Sequence, residues 1–343
     1  MKIRVGIVAG GMSSEHEISC ISAGGVLSAI DRERFDPILI GIAKDGRFLL
    51  PETSQALQII DGLLPEISTG REVNFAEVVR ELNLDVIFPV LHGPYGEDGT
   101  FQGECEMARV RYVGSGVLAS AAAMDKSFAK PIFASHGLHV ARGLTIHARD
   151  WNGKIDLKDL SFPLFVKPAR GGSSKGTSKV KSEVELAPAI NSALLFDSKV
   201  MIEEAIVGRE IECAVLQDAG TALASPLGEI QIDARFEFYD FEAKYLEGST
   251  TVKVPAELPP TVTETIQSAA IAAFNALGCE GLARVDFFYS ESGSIIINEI
   301  NTMPGFTSTS VFPKLWAEGG RSYTEIISTL IESALTRPLS LMR

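Results

Sequence analysis

Two segments near the carboxyl end constrain the fold more than anything else in the chain. Gly281 to Tyr289 reads GLARVDFFY and Ser294 to Asn301 reads SIIINEIN, with Ser290, Glu291, Ser292 and Gly293 between them. β-Branched and aromatic residues flanking a short Ser/Gly linker predict a β-hairpin. If Tyr289 pairs with Ile296, then Asp286 faces Glu299 and Arg284 faces Asn301. Alternation along strands puts these four side chains on one face. Carboxylates directly opposed, with Cβ atoms roughly 5 Å apart, repel each other unless a cation stands between them. Because the donors are oxygens, the natural occupant is a hard divalent ion such as Mg²⁺, usually held by one or two carboxylates together with substrate phosphates. The plainer alternative is a solvated polar face on which a nearby Lys or Arg satisfies each carboxylate.

A chain of 343 residues exceeds one compact core and divides into two or three units around a shared cleft. Its formal charge of -13 argues against nonspecific binding to nucleic acid or to an anionic membrane surface, and so points to small-molecule partners. Cys20, Cys105, Cys213 and Cys279 are widely spaced, with no CxxC pair. Reduced thiols in a cytoplasmic protein are therefore expected, not disulfides or structural zinc. Val5 to Ala9 is too short for the apolar core of a signal peptide, and no apolar run is long enough to span a membrane.

Residues 2–9 predict a buried strand followed by the Gly10-Gly11 turn, and Ser14 with Glu17 has capping-box spacing for a helix. Further strands at Pro37 to Ile42 and Val86 to Leu91 alternate with helical segments, the pattern of a small doubly wound parallel sheet. Ligands of such sheets bind beyond the strands' carboxyl ends. That rule collects Gly10 to Glu15 and His92 to Asp98 on one rim. Residues 1–123 form this first unit. A second unit, residues 124–202, contains the strand Phe162 to Pro168 and the turn Arg170, Gly171, Gly172, Ser173, Ser174, Lys175, Gly176. Its exposed N–H groups can cradle phosphate oxygens. Residues 203–343 complete the chain with a strand from Gly208 to Leu216, a surface loop from Pro255 to Pro260, a helix from Thr263 to Leu277, and the acidic hairpin.

Taken singly, several candidates have ordinary readings. Gly10-Gly11 lacks the G-x-G-x-x-G spacing of a dinucleotide site. Glu15 falls in a first helical turn, where a carboxylate complements the dipole, although across the rim it can also meet a substrate amine. His92 can be a satisfied loop histidine, yet Gly93, Gly96 and Gly99 let a ligand approach the backbone beside it. Lys167 ends an apolar strand just before the Gly/Ser turn, and a cation there calls for an anion.

Together these stretches carry a family resemblance. Gly10 to Glu15, His92 to Gly99, Met124 to Lys126, Val166 to Ser174, Glu242 to Tyr245 and Asn298 to Ser310 closely resemble, in order and over nearly the whole chain, the D-alanine:D-alanine ligases of bacterial wall synthesis. The resemblance implies an ATP-grasp fold, two α+β subdomains sandwiching ATP, preceded by the doubly wound α/β domain. It also implies ATP and two Mg²⁺ ions, with Mn²⁺ an alternative, and a homodimer.

By the same resemblance, Lys126 and Lys167 contact phosphates, with Ser174 in the phosphate turn. Glu203, Glu204, Ala205 and Ile206 hold the adenine edge, Glu210 the ribose, and Phe288 and Asn298 also line the nucleotide. Asp286, Glu299 and Asn301 carry the metals. Glu15 anchors the first D-alanine's ammonium, supported by Ser173 and Tyr245, with His92 nearby. Arg284 and the Gly305 backbone stabilise developing negative charge, and Ser310 and Val311 take the second substrate's carboxylate. Lys244 reaches the γ-phosphate from a loop spanning Phe236 to Thr251. Lys175 and Val311 depart from the family's usual apolar residue and longer aliphatic. The nearest rival is a ligase joining D-alanine to D-serine or D-lactate, against which Tyr245 weighs. A nonenzymatic nucleotide module and a biotin-dependent carboxylase component are the other classes consistent with such a grip.

Overall fold

The computed structural model describes residues 2–52, 57–59, 62–172, 174–232 and 250–338. Three β-sheets organise them. The first has six strands in the order Arg71–Val73, Phe48–Leu50, Phe35–Ile42, Ile3–Gly10, Val86–Pro89, Arg111–Tyr112. The last four run parallel. Phe48–Leu50 and Arg71–Val73 add on antiparallel at one edge, so the sheet is mixed where a parallel one was expected. Both faces are covered, as the apolar run of residues 5–10 requires. Val5, Ile7 and Ala9 pack under the helix His16–Ala29 and the distant helix Tyr323–Leu335. Val8 and Ile40 pack under Phe75–Glu81 and Thr100–Ala108.

The expected Ser14–Glu17 capping box does not form. The helix begins one residue later, with Glu15 as N-cap and no side-chain cap bond, because Glu17 is drawn to Lys44, 2.6 Å away.

The second sheet is four-stranded and antiparallel, in the order Gly143–His147, Lys199–Glu204, Leu164–Pro168, Ser178–Val180. The helix Glu183–Ala193 closes its core through Leu186, Ile190 and Ala193. The third is five-stranded and antiparallel: Thr250–Lys253, Thr221–Ile232, Gly208–Asp218, Leu282–Ser290, Ile295–Asn301. One face packs on the helix Pro260–Ala276. That helix starts three residues before the predicted Thr263 because Pro260 suits its first turn, where a missing N–H costs nothing. On the other face Ala214, Leu216 and Leu282 sit beneath Val311–Glu318 and Tyr323–Leu335 in a core shared with the first sheet.

The helix Lys126–Ser135, expected within the second unit, packs instead on the third sheet, because Ala129 and Phe133, one turn apart, are buried in that sheet's core. The strand Lys199–Glu204 runs past residue 202 and belongs wholly to the second sheet, and the third begins at Gly208. Between the two sheets, Val140 makes a parallel bridge with Ile297, and the Ile297 N–H donates to the His139 carbonyl at 2.8 Å. Among the described residues, no helix is long and apolar enough to cross a membrane.

Candidate active site

The hairpin forms with a refinement. Asp286 does pair with Glu299 and Arg284 with Asn301, but Tyr289 pairs with Ile295, not Ile296, and the register shifts next to Asp286. The difference is a β-bulge at Asn298, which no partner residue opposes. A bulge lets consecutive residues depart from strict alternation. Ile297 and Ile300 go to the core, whereas both Asn298 and Glu299 line the cleft.

Two cavities meet at this hairpin. The larger, about 480 Å³, lies between the second and third sheets. Phe165, Ile206, Ile230, Phe288 and Ile296 form its apolar wall, and Lys126, Lys167, Glu203, Glu210 and Asp286 its polar one. The smaller, about 340 Å³, lies toward the first sheet and is lined by Glu15, His92, Gly93, Gly305, Ser310 and Val311 among others. Lys126, Gly171, Glu212, Arg284 and Glu299 line both. A transferable group at that wall is reached from either side.

The charges at the wall neutralise one another. Arg284 donates to Asp286 through Nε and Nη2, both at 2.7 Å, and its Nε lies 3.3 Å from Glu212. Burial disfavours the guanidinium's charge, but Asp286 and Glu212 overcome that and hold it firmly protonated. Asn301 Nδ2 donates to Asp286 at 3.0 Å. Lys126 Nζ lies 2.8 Å from Glu299 and donates to the Gly171 carbonyl at 2.9 Å. Burial works against its charge too, and Glu299 outweighs it. Lys126 and Arg284 thus meet the hairpin's carboxylates, as the plainer alternative expected. Among the described residues no three His, Cys, Asp or Glu are grouped to hold a metal. Two carboxylates and an Asn amide oxygen instead suit Mg²⁺ completed by phosphate oxygens.

Deeper in the larger cavity, Glu203 is 3% exposed and lies between Lys167, 2.6 Å away, and Lys130. Burial raises its pKa, but the two lysines hold it down at about 2. Burial presses Lys130 to about 8, with Lys167 and Lys126 adding to it against Glu203. Asn298 Oδ1 accepts from Lys167 at 3.4 Å. The buried Glu203 side chain therefore orders Lys130 and Lys167, and the chain at Glu204, Ala205 and Ile206 presents the cavity edge.

In the smaller cavity, a Cβ built on Gly93 (φ +74) would lie 2.7 Å from Glu15 Oε2, and one on Gly172 3.7 Å from it. The Glu15 carboxylate therefore sits where the rim meets the Gly/Ser turn. Ser310 occupies the N-cap position of the helix Val311–Glu318 without a side-chain cap bond, its Oγ accepting instead from the Thr307 N–H of the preceding loop at 3.1 Å. His92 is buried and both ring nitrogens are engaged: Nδ1 donates to the Met303 carbonyl at 3.0 Å, and Nε2 accepts from Ser22 Oγ at 3.1 Å. Burial lowers its pKa and keeps the ring neutral. Glu97, also at this cavity, is pushed up to about 8 by burial.

Comparison with known proteins gives the same picture. The profile of the D-ala D-ala ligase N-terminus matches residues 4–115 and that of the D-ala D-ala ligase C-terminus matches 132–332. A D-alanine–D-alanine ligase of Paenarthrobacter aurescens is 47% identical, the match covering 98% of this chain and 96% of that one. One from Mycolicibacterium gilvum is 46% identical, covering 98% of each. The chain belongs to the D-alanine–D-alanine ligase family. Among solved structures, the VanG D-Ala:D-Ser ligase of Enterococcus faecalis superposes with TM-score 0.81 at 33% identity over 97% of this chain and all of that one. The D-alanine–D-alanine ligase of Coxiella burnetii gives 0.80 at 32%, over 97% and 94%. That of Bacillus anthracis complexed with ATP gives 0.76 at 29%, over 97% of each. The fold is the ATP-grasp fold of these ligases.

Within the D-alanine–D-alanine ligase pattern, the structure brings Glu15, His92, Gly305, Ser310 and Val311 to one cavity. It brings Lys167, Ser174, Glu203 to Ile206, Glu210, Asp286, Phe288 and Asn298 to the other. Lys126, Arg284 and Glu299 stand between, and Asn301 lines the smaller cavity beside them. Ser173, Lys244 and Tyr245 fall outside the described residues, as does most of the Phe236 to Thr251 loop. Three charged residues escaped the sequence reading. Lys130 follows Lys126 by one helical turn, Glu212 follows Glu210 on the same strand face, and Glu97 lies inside a motif already singled out. Each signal was an ordinary periodicity that nothing in one sequence marks as functional.

Proposed function

We propose that the chain joins two D-alanine molecules into D-alanyl-D-alanine for peptidoglycan precursor synthesis, using ATP and passing through D-alanyl phosphate. The carrying observation is the pair of cavities sharing a wall of Lys126, Glu212, Arg284 and Glu299. A carboxylate of the first D-alanine, held by its ammonium at Glu15, attacks the γ-phosphorus across this wall and ADP leaves. The second molecule's amine, having lost a proton, attacks the acyl carbon, and phosphate leaves as the amide forms. The protein's part is positioning and charge neutralisation, which is what phosphoryl transfer asks. Lys167 and Lys126 fix the phosphates. Arg284 meets negative charge as it develops. The N-terminal end of Val311–Glu318 offers the N–H groups of Val311 and Phe312 and a positive dipole end to the second carboxylate. Asp286, Glu299 and Asn301 fit Mg²⁺, which when bound neutralises the triphosphate.

The labour divides along the sheets. Residues 1–123 shape the amino-acid cavity, the second sheet covers the nucleotide, and the third carries the metal-binding hairpin. We draw the boundary between the last two at residues 205–207, not inside a strand. Incubation with ATP, Mg²⁺, D-alanine and competing D-serine or D-lactate tests the substrate assignment. D-alanyl-D-alanine is expected to dominate, and a mainly mixed dipeptide or depsipeptide product would overturn it. The D-serine arm is the more pointed, given the likeness to a D-Ala:D-Ser ligase.

Gly93→Ala tests the amine site. Its left-handed backbone costs alanine about 1–2 kcal/mol, and the new methyl would meet Glu15 Oε2. A several-fold rise in the KM for D-alanine is expected, with the KM for ATP unchanged. Unchanged D-alanine kinetics would remove Glu15 from the amine site.

A further inference from the structure

The motif from His92 to Gly99 contains a device that the proposed chemistry does not use directly. Glu97 Oε1 accepts from the Gly93 N–H at 2.7 Å, and Oε2 accepts from the Met303 N–H at 3.2 Å. From the same loop, His92 Nδ1 donates to the Met303 carbonyl at 3.0 Å. Met303, some two hundred residues away in sequence, is thus held at both its N–H and its C=O.

The holder is itself rigid. The Gly93 carbonyl accepts from the N–H groups of Gly96 and Glu97 at 3.1 and 2.9 Å. Gln102, buried on the helix Thr100–Ala108, donates to the Gly96 carbonyl at 2.8 Å. Ser22 fixes the far side of the His92 ring. The Met303 side chain is 5% exposed and packs in the core with Leu282 and Phe306. Two residues on is Gly305, where an added Cβ would lie 3.2 Å from Ser310 Oγ, at the mouth of the cavity that takes the second amino acid.

We propose that Glu97 and His92 are positioning residues that clamp the Met303 backbone and so fix Gly305 and Ser310 against the transferred group. Neither ring nitrogen of His92 is then available to substrate, and its contribution passes through Met303. This role rests on the ligase reading above, since it is the acceptor side of that reaction whose geometry the clamp sets. Held groups within a few tenths of an ångström of productive geometry are worth large factors in rate.

The test uses Glu97→Gln in the full-length chain. Gln keeps the shape but turns an NH₂ toward one of two N–H donors, so one of the two bonds is lost. Exchange of the Met303 or Gly93 amide hydrogen is expected to speed at least tenfold. The KM for the second D-alanine is expected to rise roughly tenfold with kcat reduced, while the KM for ATP stays within twofold. His92→Phe, which removes the carbonyl's donor, is expected to shift the same two parameters in the same direction. Unchanged exchange at both amides, or an equal rise in both substrates' KM, would overturn the clamp. A residue that only supports the fold would lower the melting temperature and the active fraction without splitting the two KM values. Should the wild-type chain turn over no D-alanine, the ligase reading fails, and amide exchange still decides whether Glu97 holds Met303.

Discussion

Replacing Arg284 by methionine is expected to destabilise the chain by about 3–5 kcal/mol, the usual result of stranding a buried charge, and to slow turnover by roughly 10²–10³-fold. The reason lies in register. Glu212 and Asp286 are direct cross-strand partners, and each is 2% exposed. Arg284 is paired with both, bidentate with Asp286 at 2.7 Å and 3.3 Å from Glu212. Without it, two buried carboxylates face each other on adjacent strands, which destabilises a sheet. A calorimetric melt of variant and wild type reads the stability loss. Mg²⁺ with a non-hydrolysable ATP analogue is expected to return part of it, by placing another cation beside Asp286. Melting at the wild-type temperature would mean that Arg284 does not neutralise this pair.

Glu299→Gln is expected to act in the opposite manner, leaving the fold near its wild-type stability while turnover falls roughly 10²-fold and the Mg²⁺ requirement rises by 10–100-fold. The Glu299 side chain is 20% accessible and pairs with Lys126. Lys126 keeps the Gly171 carbonyl when that partner is lost. Titrating ATP affinity against Mg²⁺ separates the metal role from the ion pair. Near-normal activity at limiting Mg²⁺ would remove Glu299 from the metal site.

What could be read in the sequence was whatever repeats at short range. The acidic pair of the hairpin followed from strand alternation alone, and Asp286 does face Glu299. The bulge did not follow, because the one-residue slip at Asn298 is decided by burial of both Ile297 and Ile300 against the third sheet's core. Nor did the docking of Lys126–Ser135. Its neighbours in sequence assigned it to the second unit, but Ala129 and Phe133 answer to a core built from residues about eighty to one hundred and seventy positions further along. Glu17 shows a similar competition at short range, where an ion pair with Lys44 outweighed a capping box. The roles of Glu15, Lys167 and Glu210 could be named only through resemblance. In isolation, a carboxylate at a helix start and a lysine at a strand end have common structural explanations. Glu97 and Lys130 show the limit most plainly, since both are charged residues whose meaning lies in burial.

The short stretch at residues 205–207 joins the second sheet to the third, and it also forms one edge of the 480 Å³ cavity. The crossing at His139 and Val140 is stitched to Ile297, itself on the cavity's hairpin. Any rotation of one sheet against the other must bend the backbone at these two places. A molecule filling the cavity would therefore touch the first pivot directly and the second through Ile297, so that how far the halves gape and how tightly the guest is gripped would become one variable instead of two.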